Sequence, residues 1–593
     1  MKLTDYVVQF LAEQGVGHVF VVQGGAVAHL IDSTEKNPNI DYVCVGHEQA
    51  GSIAVHGYAA KENGFGCAMA TTGPGIINLI NGASCLFYDS MPSIFIGGQV
   101  TTARNRAKEL GVRQLGFQES PHADLMRPVT KYAATVSDSA EIRYELEKAV
   151  HIAKEGRPGP VFLDICDDVQ REDVDPDALR GFTPDVVTSS RNGGSGPLDA
   201  AAAEVMALIA QAERPVLTFG GGIRLAAATA AAVQFGEKMG IPMALSWAAL
   251  DMLPGDHPLN AGGFGMHSAR SDNFAVQNAD LVIAIGIRLS QHQTGTPAST
   301  FARGAKKVVV DIDANELGKF AKLDAPIDLP VQSDAGDFLT CLTHQPVPET
   351  DFSDWNGRIQ RWRARYPACA ESREPTTAID PYLFMGRLSE QAQEGDIVLG
   401  DVGATLSWMF QSFKVKKDQR LLTSFNNHTM GYALPAAIGA SFANPGRTVI
   451  SLNGDGGFLM NVQELGVAAK HNLPIRTIIM NNHGYGVIQQ TQEDYFDARY
   501  NGTTPNTGLM DPDFGKIAEG FGLPVVTIGK PCEIDDGLSE LFGHNGPSFA
   551  VVEIEPTARI SPAVVGGRPI EDISPLLPRD EFESNMIVPP LSS

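Results

Sequence analysis

An aspartate stands between glycines in SLNGDGGFLMN, residues 451–461, at the end of the apolar run TVISLN. A charged side chain there is poorly placed for a core and well placed for a ligand. The next apolar run closes on IIMNNHGYG, which offers the amide oxygen of Asn482 beside Gly484. Taken singly, Asp455 reads as well as a turn residue and Asn482 as a helix cap. Together they supply hard oxygen donors that leave several coordination positions open, with Gly454, Gly456 and Gly484 letting the backbone approach a ligand closely. That donor set suits Mg²⁺ held jointly with a diphosphate.

Elements must place these residues together. TVISLN and IRTIIMNN are two strands joined by one helix, NVQELGVAAKHN, and a right-handed crossover lays them side by side in a parallel sheet. Their C-terminal ends then share the edge where open α/β sheets bind ligands and helix N-termini favour anions. The same alternation recurs along the chain. It predicts a helix over 3–14, strand HVFVV, a helix over 26–34, strand YVCVG, a helix over 48–62 and strand CAMAT before the turn TTGPG. PVLTFGGGIR, IPMALS, ADLVIAIGIRLS and KKVVVDIDANE form a second such unit. The expected fold class is therefore α/β, with three doubly wound parallel-sheet domains. Residues 1–185 form the first, 198–345 the central Rossmann-like domain and 375–560 the third, followed by a tail over 561–593. The Gly/Ser-rich TSSRNGGSGP (188–197) reads as a linker, and the polar segment from about 343 to 380 as a second boundary.

GDGGFLMNVQELGVAAKHNLPIRTIIMNN resembles the signature of the thiamine diphosphate enzymes of the acetohydroxyacid (acetolactate) synthase and pyruvate oxidase group. The resemblance implies that Asp455, the Asn482 side chain and the Gly484 carbonyl are the protein ligands of Mg²⁺. Gly454, Gly456, Gly457 and Tyr485 are then cofactor-binding. Activation of that cofactor requires a carboxyl group beside a pyrimidine nitrogen. VGHEQAGSIAVHGYA places Glu48 in the matching position, on a helix whose Gly51, Ala54, Gly57 and Ala59 suit close packing. TTGPGIINLINGA resembles the second pyrimidine-binding motif, so Gly73, with Gly24 and Gly25, is expected at the cofactor. GFQE resembles the loop that brings Gln118 to the thiazolium. NNHTMGYALPAAIGA resembles the stretch carrying the large apolar residue under the bent cofactor, here Met430. His428 replaces a small residue of the family pattern and is a candidate catalytic group; His29 is a candidate for the same cleft or for the core.

The middle of the chain resembles the central domain of the same group through GGGIR, GGFGMHS, GIRLSQHQTG and KKVVVDIDANELGK. FAD is the further candidate cofactor, with Gly220, Gly221, Gly222, Arg288 and Asp311 expected at it. Ser290 and Gln291 stand where the family carries two acids. The resemblance implies decarboxylation of a 2-oxo acid, pyruvate first, and transfer of the remaining fragment to an acceptor carbonyl. Synthases usually carry Arg and Trp after the NN motif, where Gln489 and Thr491 stand here. With Asn426 to His428 these are expected to form a polar acceptor pocket. A carboligase using a keto-sugar or aldehyde, an FAD-linked pyruvate oxidase and a catalytically silent member of the fold are the alternatives. Family architecture implies a homodimer or homotetramer with active sites at subunit interfaces.

Composition narrows the rest. A chain of 593 residues is too long for one core, and 43% hydrophobic with 19% charged residues is ordinary globular usage. A net charge of −24 without a basic block argues against nucleic acid. Seven cysteines without CxxC spacing fit reduced thiols. No apolar run reaches membrane length, and MKLTDYVVQFLAEQGV reads as an amphipathic helix instead of a signal peptide, so the expected location is the cytoplasm, with no membrane partner.

Overall fold

The computed structural model describes residues 1–184, 196–367 and 378–591; most of the expected Gly/Ser linker lies outside them. Three six-stranded parallel sheets succeed one another along the chain. The first contains β1 (His18–Val21), β2 (Asp41–Cys44), β3 (Gly66–Ala70), β4 (Ser93–Gln99), β5 (Tyr132–Val136) and β6 (Pro160–Cys166), in the order β2-β1-β3-β4-β6-β5. The second contains β7 (Pro215–Phe219), β8 (Met243–Leu245), β9 (Asn260–Gly263), β10 (Leu281–Ile285), β11 (Lys306–Asp311) and β12 (Leu329–Gln332), in the order β12-β11-β10-β7-β8-β9. The third contains β13 (Ile397–Gly400), β14 (Arg420–Leu422), β15 (Val449–Gly454), β16 (Ile475–Asn481), β17 (Val525–Ile528) and β18 (Ser548–Glu553), in the order β14-β13-β15-β16-β18-β17. The first and third sheets thus share one topology. Their central strands, such as Ile94, Phe95 and Ile96 or Ile475, Ile478 and Ile479, are buried, as strands covered on both faces must be.

At one point in each sheet the connections from two adjacent strands leave in opposite directions, and there the C-terminal strand ends open a crevice. These points fall between β1 and β3, β7 and β10, and β13 and β15. The glycine-rich turns after β1, β3, β7, β10 and β15 are stretches singled out from sequence.

Helices Glu48–Ala59 and Ala433–Ala443 join the first sheet to the third. Their backbones touch, because Gly57 and Gly439 have no side chain: an added Cβ would lie 1.9 Å from the Ala436 carbonyl oxygen and 1.8 Å from that of Ala54. Gly439→Ala is expected to destabilise the protein by about 1–3 kcal/mol through overpacking. A thermal melt that matches wild type would show that the helices separate freely.

A buried carboxylate ties all three units together. Asp251 accepts from Arg224 Nη2 (2.5 Å) beside the second sheet and from Arg420 Nε (2.9 Å) on β14, while Arg420 Nη1 donates to the Ala60 carbonyl (2.9 Å) after the first long helix. Burial alone would raise the Asp251 carboxyl; the two guanidinium groups outweigh it and hold it below its ordinary value.

Two stretches read as boundary and tail are built into the middle unit. Residues 353–365 form a helix whose Trp355, Ile359 and Trp362 are buried in the core on one side of the second sheet. Their i, i+4, i+7 spacing puts them on one face. The C-terminal residues pair β19 (Ala563–Val564) with β20 (Ile573–Ser574) and add helix Arg579–Asn585. They dock by Asn273 Nδ2 to the Ile570 carbonyl (2.8 Å), Trp362 Nε1 to Asn585 Oδ1 (2.8 Å) and the Arg303–Glu571 ion pair (2.6 Å).

Candidate active site

β15 and β16 are parallel neighbours with Gly454 opposite Met480, so Asp455 and Asn482 leave the same sheet edge. Asp455 opens a one-turn helix, Asp455–Phe458. Its Oδ1 accepts from Gly456 N (2.6 Å) and its Oδ2 from Gly484 N (2.8 Å), locking the two loops together. Burial pushes its carboxyl up to about 6, a direction that a cation in contact would reverse. Asn482 is buried, and its side chain has no hydrogen-bond partner among the described residues. Next to it His483 bridges Asp511 and Glu553, which fixes the turn. The glycines are sterically required: a Cβ on Gly456 would lie 2.0 Å from the Tyr485 ring, and one on Gly484 2.6 Å from the Thr503 carbonyl oxygen. This arrangement of a buried carboxylate, an unengaged amide and glycine loops without side chains fits a cation with a diphosphate.

Across the crevice from Asp455, at the end of β13, stands a carboxylate that the sequence reading passed over. Asp401 is fully buried and accepts from Val402 N (2.8 Å), Gly431 N (3.1 Å) and Ala433 N (3.4 Å), so it caps the helix that follows Met430. Burial pushes it up to about 7. Met430 itself is half-buried, at the left-handed Gly431. The one available signal was an acid at the end of a buried strand, in LGDVG.

The crevice of the first sheet collects Gly24, Gly25, Gly73, Glu48 and Gln118. A Cβ on Gly24 would lie 2.5 Å from Thr71 Cβ, and one on Gly73 2.9 Å from Gln118 Cβ. Gln118 holds a left-handed backbone, φ +62°. Glu48 opens its helix half-buried, and its Oε2 accepts from Asn78 Nδ2 (3.0 Å). Glu119 anchors the neighbouring loop by accepting from Ala107 N (2.8 Å), Leu115 N (2.7 Å) and Gly116 N (2.8 Å).

At the second sheet's crevice, Gly220, Gly221, Gly222, Arg288 and Asp311 line one cavity of about 200 Å³. It shares Lys154, Gly156, Ile312, Ser333 and Asp334 with a larger one of about 1190 Å³. Gly222 N donates to the Gly286 carbonyl (2.9 Å), and the absence of side chains lets the two turns meet. Asp311 ends β11 with its carboxyl raised by burial. Ser290 caps the short helix Gln291–Thr294.

The expected polar acceptor pocket is not assembled as read. Gln489 is buried with its amide spent on the Thr503 carbonyl (2.8 Å) and Arg559 (3.3 Å), because a buried amide takes the nearest partners. Asn426 is bonded to the Tyr88 carbonyl, Asp89 and Arg288, and Asn427 to Ser84 and Cys85. Thr491 is exposed. His428, in a left-handed conformation (φ +48°), presents its ring to the edge of Trp247 near His292. His29 lies against Lys2 Nζ (3.2 Å).

Comparison with known proteins matches these three units in order. Residues 1–125 match the thiamine pyrophosphate enzyme N-terminal TPP binding domain, 202–342 the central domain and 401–553 the C-terminal TPP binding domain. The probable acetolactate synthase large subunit of Methanocaldococcus jannaschii is 33% identical, over 97% of this chain and 96% of that protein. The acetolactate synthase isozyme 1 large subunit of Escherichia coli is 31% identical, over 95% and 96%. The acetolactate synthase large subunit of Lactococcus lactis is 30% identical, over 98% and 97%. The chain belongs to the thiamine pyrophosphate enzymes and is an enzyme of the acetolactate synthase type.

Proposed function

We propose that the protein decarboxylates pyruvate and joins the two-carbon fragment to a second 2-oxo acid, with thiamine diphosphate and Mg²⁺. The observation that carries this is the pairing of a buried Asp455 with an unengaged Asn482 on adjacent strand ends, in a chain that also sets Glu48 at a second crevice. Asp455, Asn482 and the Gly484 carbonyl would hold Mg²⁺, with Gly454, Gly456, Gly457 and Tyr485 around the diphosphate. Glu48 would hold a proton at the pyrimidine nitrogen, Gly24, Gly25 and Gly73 would flank the ring, and Gln118 would face the substrate. Met430 would support the cofactor, and His428 would lie near the acceptor. When bound, the cofactor supplies a thiazolium carbon that adds to the oxo group and takes up the electron pair released with carbon dioxide.

Glu48 and Asp455 belong to different sheets, and Phe117, Tyr495 and Met510, near the Gln118 loop and after the Asn482 turn, are 78%, 74% and 73% exposed. Large exposed apolar side chains in such positions fit coverage by a second copy, so the working unit is a homodimer or a homotetramer. The domain limits read from sequence stand as part of this proposal, with 353–365 and the C-terminal tail serving the middle domain. Among the described residues no helix is long and apolar enough to cross a membrane; a cytoplasmic location is the reading in keeping with the substrates.

The cavity at Gly220–Gly222, Arg288 and Asp311 would hold FAD. Glycine turns at a switch point with an acid ending a neighbouring strand are the features that dinucleotides use. Purified protein is therefore expected to be yellow, and pyruvate with thiamine diphosphate and Mg²⁺ to give acetolactate by mass spectrometry. A colourless preparation that gains nothing from FAD overturns the flavin assignment. Failure to release carbon dioxide from pyruvate overturns the reaction. Preferential coupling to a hydroxylated aldehyde or keto-sugar would move the assignment to a branched-sugar carboligase.

A further inference from the structure

Beneath the crevice of the first sheet lies a polar network made by residues that no sequence motif singled out. His122 and Asp164 are both fully buried, with His122 Nδ1 3.1 Å from Asp164 Oδ2. Gly73 N donates to His122 Nε2 (2.9 Å). A backbone N–H pointing at Nε2 makes that nitrogen the acceptor, so the ring proton sits on Nδ1 and is donated to Asp164. Gln99 Nε2 lies 2.9 Å from His122 Nδ1, and its two hydrogens go to Asp164 Oδ2 (2.9 Å) and the Ser120 carbonyl (2.9 Å). Its Oε1 accepts from Val100 N (2.8 Å) and Thr72 Oγ1 (3.3 Å).

Each end of this network touches a residue of the site. Gly73, at φ +71°, is the N-cap of helix Pro74–Asn78, and Asn78 holds Glu48 Oε2. A Cβ on Gly75 would lie 3.3 Å from Glu48 Oε1, so the same turn also bounds the other carboxylate oxygen. Thr72 Oγ1 lies 3.2 Å from the Gln118 carbonyl, and Gln118 packs on Gly73. Among the described residues Asp164 Oδ1 is buried without a partner.

We propose that Asp164 and His122 are a buried positioning pair that fixes the turn at Gly73 and, through it, sets Glu48 and Gln118 against the cofactor pyrimidine and substrate. The pair touches neither; it acts by holding the imidazole in the one tautomer whose Nε2 accepts from Gly73 N. This inference rests on the thiamine diphosphate reading of Glu48.

The test compares His122→Leu, His122→Gln, Asp164→Asn and Glu48→Gln with wild type in the full-length chain. Without added cofactor, amide hydrogen exchange is followed in the peptide containing Gly73. With thiamine diphosphate and Mg²⁺, the dissociation constant of the cofactor and the deuterium exchange of its C2 proton are measured. In His122→Leu the Gly73 peptide is expected to exchange faster, while C2 exchange slows by about 10- to 100-fold, the scale of a small misplacement at a reacting centre. Cofactor affinity should change by less than about 3-fold, because the diphosphate grip is on another sheet. His122→Gln, whose Oε1 offers Gly73 N an acceptor, should recover most of the C2 exchange. Asp164→Asn should slow it, because an amide no longer enforces the tautomer.

Wild-type C2 exchange in His122→Leu and Asp164→Asn, alongside slow exchange in Glu48→Gln, would overturn the pair's role and leave Glu48 standing. Equal losses in His122→Leu and His122→Gln, with faster amide exchange across the whole first unit, would make the pair merely structural and also overturn it. If His122→Leu does not fold, Asp164→Asn and His122→Gln decide by the same readings. A wild-type protein that neither binds thiamine diphosphate nor exchanges C2 would instead remove the reading of Glu48 on which the inference rests.

Discussion

Glu48→Gln should fold and bind thiamine diphosphate as wild type does, yet lose turnover by about 100-fold or more, the usual penalty for removing a general acid or base. The substitution keeps the size of the side chain and leaves an oxygen for Asn78 Nδ2, which donates to Glu48 Oε2 across 3.0 Å. The helix behind it is held by Gly57 and Gly439, so the backbone has no cause to move. What the amide cannot do is pass a proton to and from a pyrimidine nitrogen. The measurement is pyruvate consumption together with cofactor affinity: turnover falls and affinity stays. Wild-type turnover in the variant would place activation on another group.

Asp455→Ala should fail at an earlier step, by releasing the cofactor. Its two oxygens now hold Gly456 N at 2.6 Å and Gly484 N at 2.8 Å, so the alanine would both delete a cation ligand and free the two loops. Chelation of the metal from wild type should mimic the variant, because two anionic phosphates beside a carboxylate repel without a cation between them. Activity at ordinary cofactor concentration should be undetectable in the variant, and titration should show affinity weakened by about 10- to 100-fold, the scale of lost metal-site partners. Unchanged affinity in both the variant and the chelated wild type would remove the metal from the assignment.

The two variants rest on residues that the sequence exposes for physical reasons. Asp455 is conspicuous because a charge between glycines at the end of a buried strand is poorly placed for a core, and Glu48 because its helix carries Gly51, Ala54, Gly57 and Ala59, which suit close packing. Asp401 was hidden by the same logic in reverse: it is one acid in LGDVG, and only the fold shows that three backbone N–H groups converge on it. His122 and Asp164 stand on separate elements, a short helix and a strand, and no spacing along a chain records a hydrogen bond made between them. Helix 353–365 was obscured by composition. Its three apolar residues lie among arginines and polar side chains, so the average reads as linker while the periodicity reads as helix. The polar pocket expected from Gln489 misled for a related reason, since residue type says which bonds an amide can make and not where the nearest partners lie.

Asp251 places a limit on how the protein can be divided. Its partners come from its own unit and from β14, and Arg420 carries the connection on to Ala60. A gene fragment encoding the central unit alone would keep the carboxylate and Arg224 but discard the second guanidinium, and one encoding the last unit would strand Arg420. Breaking a buried ion pair by removing one partner typically costs about 3–5 kcal/mol, a large share of the stability of any single domain. The three sheets are alike in being six-stranded and parallel yet not modular in practice, and recombining this chain with a relative's by exchanging whole units would require the acid and both of its arginines to travel together.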